Sequence, residues 1–402
     1  MQQSLSNEQL LAAAAQYGTP LYVYHAETIA QQYRKLADAF SILDTKIFYA
    51  CKSLTNIHVL RYVKELGCNI DCSSGNEVKL ALHAGVEPER ILYTSNGIAF
   101  AEIDEAAQAG VNINIDSLSN LEKFGQKYGG SYPVGVRLRP NIMAGGNLKI
   151  STGHDKSKFG IPVEQLDELK AVVDRYQLRI RTLHLHTGSD IKEADVFVQG
   201  LEVLFEMLPH FPDVEVLDLG GGFKVPYHPQ EKETDVEKLA QKLKEALETH
   251  ETSRNRKLQI WFEPGKFIAS ACGYLLTTVN VLKQNGDVQI AGVDTGLNHL
   301  IRPMMYDAYH HIVNSSNPDG PQKKYMVTGN ICETDTFADD RYLAEIREGD
   351  VLTIYNAGAY GFEMSSNYNS RFKPAEVLFL NGQPRLIRRR DTFEDLLRNQ
   401  EV

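Results

Sequence analysis

Residues 69–96 read NIDCSSGNEVKLALHAGVEPERILYTSN, which is an apolar run, a helix-like segment and a second apolar run. The apolar residues of the middle segment, NEVKLALHAGV, recur at spacings of three and four positions, as they do on one face of an α-helix. Each flanking run is short and ends in a polar cluster, as expected for a buried strand. The stretch therefore predicts a β-strand, an α-helix and a second, parallel β-strand.

The same unit recurs through the first two-thirds of the chain. Eight such runs are present: KIFYACK (46–52), NIDCSS (69–74), ILYTSN (91–96), NINIDS (112–117), PVGVRLRP (133–140), IRTLHLHTGS (180–189), EVLDLGGG (215–222) and QIWFEPGK (259–266). Eight strand and helix units predict a TIM-type (β/α) barrel of eight parallel strands. Because such barrels form their active sites at the carboxyl ends of the strands, the candidate residues are Lys52, Asp71, Asn96, Asp116, Arg137, His186, Ser189, Gly220 to Gly222 and Glu263.

A second domain is predicted because the 402 residues exceed an ordinary barrel by about a hundred residues or more. After about residue 270, apolar segments are joined by turns, and Asn381 with Gly382 suits a two-residue hairpin loop. The early run from Leu21 to Tyr24 is expected to pair with these strands. We therefore predict an α/β barrel over residues 26–270 and an all-β domain, sandwich-like or barrel-like, formed by residues 1–25 and 271–402.

Composition excludes several classes of partner. Forty-two basic and 52 acidic residues give a formal net charge of −10, which argues against nucleic acid or an anionic membrane. The five cysteines do not have the spacing of zinc ligands, so no metal site is predicted, and a reducing, cytoplasmic location fits best. No apolar run reaches membrane-spanning length, and the N-terminal segment lacks the positive leader of a signal peptide.

Lys52 is the candidate nucleophile. A lysine just past a buried strand can lose solvation and become the amine that forms an imine with a carbonyl cofactor. Alternatively, Lys52 opens an ordinary surface loop. The neighbouring motifs favour the first interpretation.

The last two runs of the barrel suggest a phosphate site. Gly220 to Gly222 end the seventh run and Gly265 follows the eighth, where barrels commonly bind phosphate and where glycine lets backbone N–H groups approach an anion. A tight turn would also explain the three glycines. Glu263 could pair with an arginine, but with Lys52 across the barrel it is placed to hydrogen-bond the pyridine nitrogen of pyridoxal phosphate.

The sixth run supplies a ring and a hydroxyl. The strand period of two places His184 and His186 on one face, with His186 nearer the mouth of the barrel. His186 could stack on a cofactor ring and Ser189 could meet its phosphate, although a strand histidine is often only a core residue. Arg137 and Asp71 could add polar contacts or form a structural ion pair.

Three segments of the predicted β domain add to the barrel motifs: RPMMYDAYH (302–310), GNICETD (329–335) and GAYGFEMSSNYNSR (358–371). With Lys52, His186, the three glycines and EPG (263–265) in the same order, the chain resembles the fold-type III pyridoxal-phosphate decarboxylases over nearly its whole length. Within that family it is most similar to the enzymes that act on diaminopimelate.

The resemblance implies pyridoxal 5'-phosphate as the cofactor. Lys52 would hold it through an imine, Glu263 would meet the pyridine nitrogen, and His186 would stack on the ring. The phosphate would be bound by one hydroxyl and by backbone groups, at Ser189, Gly220, Gly221, Gly222, Gly265 and Lys266. Tyr360 would complete the cofactor pocket, and Asp71 and Arg137, selected above from their places at strand ends, are also expected to contact the cofactor.

The resemblance also implies a substrate site that two subunits share. Arg302 and Tyr306 would hold the far end of the substrate, together with Lys266 and Tyr360. Cys332 would donate a proton as a catalytic residue, and Glu333 would meet the distal amine. The family takes these last two residues from the partner subunit, so a homodimer is expected.

One departure from the family pattern concerns Lys266. The family commonly has an arginine after EPG, and that arginine helps to grip the distal carboxylate, whereas a lysine keeps the charge without the bidentate fork. Gly361 also stands where the family often has another residue, with little expected effect. Whether residues 141–161, which include Gly145, Gly146 and Gly153, form a mobile lid or an ordinary loop stays open.

The implied activity is the decarboxylation of meso-2,6-diaminopimelate at its D-centre to L-lysine and CO2, the last step of lysine biosynthesis. Glu333 and Arg302 match the distal ammonium and carboxylate of that amino acid, and decarboxylases of ornithine or lysine have no use for the arginine. One alternative is a related decarboxylase of another basic amino acid or a carboxylated polyamine. A second alternative is a non-catalytic cofactor carrier, which should lack Cys332 and the residues that grip the substrate.

Overall fold

The computed structural model describes residues 5–140, 157–250 and 257–401. The chain divides into two compact units. The first, which we call the barrel unit, consists of Gln32–Val225 and Lys232–Phe267. The second, which we call the sheet unit, consists of Met1–Gln31, Pro226–Glu231 and Ile268–Val402.

The barrel unit contains a closed barrel of eight parallel strands, which confirms the predicted fold class. Numbered in chain order after β1 (Leu21–His25) of the sheet unit, its strands are β2 (Thr45–Ala50), β3 (Asn69–Cys72), β4 (Ile91–Thr94), β5 (Asn112–Ile115), β6 (Val134–Arg139), β8 (Ile180–Leu185), β9 (Val216–Asp218) and β10 (Gln259–Phe262). The two-residue β7 (Ile161–Pro162) pairs only with the end of β6. Strand β10 pairs with both β9 and β2 and thereby closes the barrel.

Helices connect the strands as the sequence periodicity predicts. They are α2 (Ala26–Ala39), α3 (Ile57–Glu65), α4 (Gly75–His83), α5 (Phe100–Gln108), α6 (Leu118–Tyr128), α7 (Leu166–Tyr176), α8 (Ala194–Met207), α9 (Val236–Thr249) and the short α10 (Lys266–Ala269). Several polar residues that end the strand motifs also cap the next helix. The Ser74 hydroxyl accepts a hydrogen bond from the Glu77 amide of α4, and Ser117 does the same for the Asn120 amide of α6. Such caps supply acceptors for amides that have no partner within the helix.

The centre of the barrel is filled by side chains from several strands. Phe48, Leu92, Val216 and Trp261 form one buried cluster, and the rings of Phe48 and Trp261 lie 4.5 Å apart. Burying each of these side chains contributes about 1.5–3 kcal/mol relative to exposure. The apolar centre therefore supports the strands whose carboxyl ends carry the polar candidates.

The sheet unit is a nine-stranded, mainly antiparallel sheet. Besides β1, its strands are β11 (Gly273–Asn285), β12 (Val288–Val293), β13 (Ile312–Asn314), β14 (Gln322–Thr328), β15 (Thr336–Ala344), β16 (Val351–Ile354), β17 (Ala375–Leu380) and β18 (Gln383–Arg388). It also contains α1 (Asn7–Tyr17), α11 (Arg302–Tyr306) and α12 (Phe393–Leu397). Strand β1 pairs antiparallel with β11 and parallel with β17, as predicted for the early apolar run.

The Asn381–Gly382 turn joins β17 and β18 as predicted, and both residues have positive φ, of 52° and 73°. That geometry suits the primed turns of tight hairpins. Two strands of the sheet unit, β13 and β15, were not predicted. Strand β13 is only three residues long, and β15 has the polar sequence TFADDRYLA, so neither has the alternating apolar pattern of a half-buried strand.

In the described parts of the chain, no helix is long and apolar enough to cross a membrane.

Candidate active site

Lys52 lies at the mouth of the barrel, on a 3-10 turn (Cys51–Ser53) that directly follows β2. The Ser53 hydroxyl donates a hydrogen bond to the Ala50 carbonyl and holds the turn closed. From there the Lys52 Nζ reaches Asp71 Oδ2 at 3.3 Å and Ser73 Oγ at 3.2 Å. Its side chain is 43% exposed, whereas that of Asp71 is 1% exposed, so the amine is open to a ligand and its carboxylate partner is not.

Burial dominates the electrostatics of Asp71. Loss of solvation raises the pKa of its carboxyl to about 7; the charge of Lys52 opposes this rise and that of Glu263 adds to it. The Oδ1 atom is buried and has no hydrogen-bond partner among the described residues. Asp71 therefore exchanges a proton near neutral pH, beside the candidate nucleophile.

This raised pKa predicts a pH-dependent stability of the ligand-free protein. Since unfolded aspartate titrates near its model value of 3.8, the folded protein binds more protons than the unfolded chain between about pH 4 and pH 7. The free energy of unfolding should therefore fall as the pH rises through this window and level off above it, by about 1.4 kcal/mol per unit of pKa shift. Asp71→Asn should lack this component. Melting temperatures of both proteins across the window test it, and parallel curves would contradict it.

Glu263 follows β10 and is buried. Its own burial would raise the pKa of this carboxyl, but the neighbouring His184, followed by Lys52 and His186, outweighs burial and holds that pKa below the usual value. Oxygen Oε1 has no hydrogen-bond partner in the described part of the chain. Glu263 is thus an ionised carboxylate with one oxygen available for a donor.

The sequence analysis expected Glu263 and Lys52 to face each other across the barrel. This expectation was wrong. Strand β10 pairs with β2, with Phe262 opposite Ile47, so the two residues follow neighbouring strands. The reason is closure, because the eighth strand of a closed barrel lies beside the first. Both groups still lie at the carboxyl end of the barrel, and the charge of Lys52 lowers the pKa of Glu263.

His186 directly follows β8, and its neutral form is fixed by the glycine loop. Its Nδ1 accepts a hydrogen bond of 3.2 Å from the Gly221 amide, which places the ring proton on Nε2. Burial, followed by the charge of Arg137, lowers the pKa of His186 to about 3. The residue therefore offers a neutral aromatic face at physiological pH.

Arg137 lies within β6 and is 8% exposed. Its guanidinium stacks on the ring of Phe159 at 4.7 Å from the centroid. Burial lowers the pKa of Arg137, and the nearby carboxylates Glu263 and Asp116 oppose that shift. Arg137 is thus the buried cation that balances the acidic groups of the mouth.

Gly220 to Gly222 lie where a side chain would collide with backbone. A Cβ on Gly221 would stand 2.3 Å from the Glu263 carbonyl oxygen, and one on Gly222 would stand 2.1 Å from the Gly188 carbonyl oxygen. Gly220 and Gly222 also have positive φ, of 67° and 96°. These glycines let the loop after β9 pack between the loops that follow β8 and β10, with its amides near their polar side chains.

The remaining barrel candidates lie at strand ends with less distinctive contacts. Asn96 follows β4, and Asp116 is buried after β5. Ser189 is half-buried in the loop after β8. A Cβ on Gly265 would lie within 3.2 Å of Ala50 and Ser53. Burial raises the pKa of Asp116, while Arg137 opposes the rise. Of residues 141–161, the structure describes only 157–161, so Gly145, Gly146 and Gly153 lie outside the described residues.

Lys266, the residue that departs from the family pattern, pairs with Asp190. Its Nζ lies 2.5 Å from Asp190 Oδ1, and the two side chains are 12% and 22% exposed. Asp190 has a positive φ of 62° and directly follows Ser189. The lysine therefore ties the start of α10 to the loop that carries Ser189.

We expect Lys266→Met to lower the free energy of unfolding by about 1–2 kcal/mol, because it leaves a partly buried carboxylate without its cation. Lys266→Arg keeps the charge and serves as the matched control. Urea denaturation of the two variants and the parent chain tests this. Equal stability of Lys266→Met and the parent would mean that the pair contributes nothing.

In the sheet unit, Arg302 opens α11 and is 8% exposed. Its guanidinium carbon lies 5.3, 5.6 and 6.0 Å from the ring centroids of Tyr227, Tyr306 and Tyr360. Its Nε atom is buried without a hydrogen-bond partner among the described residues. Three aromatic rings thus surround a cation that still has a donor to offer.

Cys332 and Glu333 lie together on an exposed loop of the sheet unit. The Cys332 amide donates to Asn369 Oδ1 at 2.8 Å, and the Tyr368 hydroxyl donates to Glu333 Oε1 at 2.9 Å. The GNICETD and SSNYN segments, which sequence analysis singled out separately, are therefore in contact.

Four residues of the barrel mouth were missed by sequence reasoning: Ser73, Phe159, Asp190 and Asp218. The sequence could have indicated Asp218, because the strand period of two in LDLGGG places it on the same face as Gly220, two residues later. Ser73 lies two residues after the chosen Asp71, and Asp190 directly follows the chosen Ser189. Phe159 had no signal, since its contact with Arg137 depends on a loop conformation.

Comparison with known proteins places these residues in a family. The model for "Pyridoxal-dependent decarboxylase, pyridoxal binding domain" matches residues 26–270. A diaminopimelate decarboxylase from Methanothermobacter thermautotrophicus is 40% identical over 402 residues, which cover 97% of this chain and 93% of the relative. The chain belongs to the diaminopimelate decarboxylase family.

Other members of the diaminopimelate decarboxylase family agree with this placement. The enzyme from Aquifex aeolicus is 36% identical, with 95% of this chain and 91% of the relative covered. A crystal structure of diaminopimelate decarboxylase from M. jannaschii in co-complex with L-lysine has a TM-score of 0.90 and 30% identity, and covers 98% of this chain and 94% of that one.

A pyridoxal-binding domain implies pyridoxal 5'-phosphate as the cofactor, and the barrel mouth fits that group. Glu263 Oε1 and Asp71 Oδ1 are buried acceptors without a partner among the described residues. The glycine loop presents backbone amides where a Cβ would not fit. The mouth thus combines acceptors for ring donors with an amide-lined loop suited to a phosphate.

Proposed function

We propose that this chain removes the D-centre carboxyl group of meso-2,6-diaminopimelate to give L-lysine and CO2, the last step of lysine biosynthesis. The proposal is carried by the placement of the Lys52 amine and Glu263 Oε1 directly after neighbouring strands, at one end of the barrel. Oxygen Oε1 has no hydrogen-bond partner among the residues that the structure describes. Similarity to named diaminopimelate decarboxylases over nearly the full length supports the choice of substrate.

Pyridoxal 5'-phosphate, when bound, supplies the electron sink that carbon–carbon bond cleavage requires. Lys52 is the amine that would hold the cofactor. Glu263 Oε1 would accept a hydrogen bond from the ring nitrogen, and its charge would favour the protonated form of that nitrogen. The neutral ring of His186 supports one face of the cofactor, and Ser189 with the amides of the glycine loop binds the phosphate.

Arg302 is proposed to hold the distal carboxylate of the substrate. Its Nε donor has no partner in the described chain and its three tyrosine neighbours include Tyr306 and Tyr360. Glu333 is proposed to meet the distal ammonium. This pairing of charges matches diaminopimelate, whereas ornithine and lysine have no distal carboxylate for the arginine.

Initial rates of CO2 release test the proposal, with diaminopimelate, lysine, ornithine and a carboxylated polyamine at equal concentration and with added pyridoxal phosphate. We expect diaminopimelate to be the best substrate. Arg302→Leu should reduce kcat/KM for diaminopimelate by at least about tenfold, because it removes a charged hydrogen-bond donor. Faster turnover of ornithine or lysine than of diaminopimelate would refute the substrate assignment.

The active unit is proposed to be a homodimer in which Cys332 and Glu333 enter the partner's site, with Cys332 as the proton donor. The exposure of Cys332 supports this, since the residue is accessible in the single chain. Mixing inactive Lys52→Ala and Cys332→Ala proteins should then restore part of the activity, because one mixed site has both intact residues. No recovery after subunit exchange would refute shared sites.

We also propose residues 26–270 as the cofactor domain and residues 1–25 with 271–402 as the domain of substrate and dimer contacts. The family match over residues 26–270 supports the first boundary. A cytoplasmic location is proposed because all five cysteines are free thiols, as is usual in reducing compartments.

A further inference from the structure

A buried polar cluster beneath Glu263 has no role in the function proposed so far. His184 on β8 and Asp218 at the end of β9 are both 0% exposed. One ring nitrogen and two carboxylate oxygens, from His184, Asp218 and Glu263, lie within 4.8 Å of one another. Buried polar groups are costly unless they are paired, so this cluster requires an explanation.

Two hydrogen bonds fix the carboxyl group of Asp218. Its Oδ1 accepts a 3.0 Å hydrogen bond from the Gly220 amide, and its Oδ2 accepts one of 3.3 Å from the Asn114 side-chain amide. Glu263 is held near by its own amide, which donates to the Gly220 carbonyl at 2.7 Å. The two carboxyls are therefore held close together by the backbone of the glycine loop.

Two buried carboxyls this close do not both ionise readily, because each charge disfavours the other. Burial, followed by the charge of Glu263, raises the pKa of Asp218 well above its usual value, while the pKa of Glu263 is held low. These opposite shifts favour Asp218 over Glu263 as the carrier of a proton that the pair shares. Asp218 can then donate that proton in a hydrogen bond to Glu263.

His184 supplies a second donor. Its Nε2 lies 3.6 Å from Glu263 Oε2, longer than a hydrogen bond, and neither ring nitrogen has a hydrogen-bond partner among the described residues. A shift of about 0.5 Å would bring the two atoms within hydrogen-bond distance. Burial lowers the pKa of His184, so the ring is a neutral N–H donor at physiological pH.

We infer that His184 and Asp218 are positioning residues that donate to Glu263 and so keep the shared proton on the ring nitrogen of the cofactor. This inference rests on the proposed function, in which Glu263 Oε1 faces that nitrogen. Glu263 and the ring nitrogen compete for one proton. Donors on the protein side lower the proton affinity of the carboxylate, which leaves the proton on the ring, where it strengthens the electron sink.

The other charged or titratable groups around Glu263 are Lys52 after β2, Asp71 at the end of β3, Arg137 in β6 and His186 after β8. They are left unchanged in the test. His184→Met and Asp218→Leu remove the donors at similar volume, while His184→Gln and Asp218→Asn keep a donor at nearly the same place.

The readout is the 15N chemical shift of pyridoxal phosphate that is labelled at the ring nitrogen and bound to each holoenzyme. We expect a protonated nitrogen in the wild type, His184→Gln and Asp218→Asn, and loss of that proton in His184→Met and Asp218→Leu. The last two should also lose about 10–100-fold in kcat with little change in KM, a range typical of residues that orient a contact residue.

Asp218→Asn tests whether Asp218 acts as a donor even if the apolar variants fail to fold. An unprotonated ring nitrogen in that variant would mean that Asp218 acts as an anion, which overturns the inference. Apolar variants that fold and keep the wild-type shift would also overturn it, as would stabilisation by added Zn²⁺ that depends on His184, since that would identify a metal centre. A wild type that binds no pyridoxal phosphate would instead refute the proposed function.

Discussion

Lys52→Ala should abolish decarboxylation and the visible absorption of protein-bound pyridoxal phosphate. The alanine cannot form the covalent link to the cofactor, and it also removes the amine that lies 3.3 Å from Asp71 and 3.2 Å from Ser73. Because the reaction depends on this covalent link, the rate of CO2 release should fall to the background of the assay. Single-turnover CO2 release and absorption spectra of the purified holoenzyme measure both losses.

Lys64→Ala is a matched control, since Lys64 lies in the last turn of α3 and its Nζ pairs with Glu87 Oε1 at 3.4 Å. It should retain full activity and the visible band. Thermal melting of the apo forms shows whether each variant is folded. Turnover within tenfold of the wild type in folded Lys52→Ala would remove this residue from the mechanism.

Glu263→Gln should lower kcat/KM by about 10²–10³-fold, the usual range for loss of one preorganised electrostatic contact. The amide has nearly the shape of the carboxylate, so the buried site should keep its packing. It has no negative charge to hold a proton on the ring nitrogen, and the electron sink is weakened. Steady-state rates with diaminopimelate, together with the dissociation constant of pyridoxal phosphate, test this.

Glu263→Asp serves as the companion variant, because it keeps the charge and shortens the side chain. We expect its activity to lie between those of the wild type and Glu263→Gln. A Glu263→Gln enzyme with wild-type kcat/KM would show that the carboxylate charge plays no part in the reaction.

The sequence determined most of the barrel because strand and helix signals alternate in it without interruption. Each of the eight predicted runs contains a strand, and the polar residue at the end of each run lies at one end of the barrel. Strand β15 was missed since its polar sequence does not resemble a half-buried strand, although backbone pairing with β14 holds it in place. Residue pattern alone does not report such pairing.

Within the proposed site, the rule that strand ends carry the chemistry selected Lys52, Asp71 and Glu263, which the structure places at one end of the barrel. The resemblance to known decarboxylases was needed for Arg302, Cys332 and Glu333, since nothing local marks them. The Lys266–Asp190 pair could not be predicted, because it depends on the left-handed backbone at Asp190. The tautomer of His186 could not be predicted from the sequence either, since it is set by the hydrogen bond from the Gly221 amide.

Closure of the barrel by β10 against β2 has a consequence for synthesis of the protein on the ribosome. Lys52 is synthesised early, whereas Glu263 follows 211 residues later in the chain. At typical translation speeds this interval lasts roughly 10 to 40 seconds. A nascent chain therefore cannot bind pyridoxal phosphate through both Lys52 and Glu263 until the last barrel strand has left the exit tunnel.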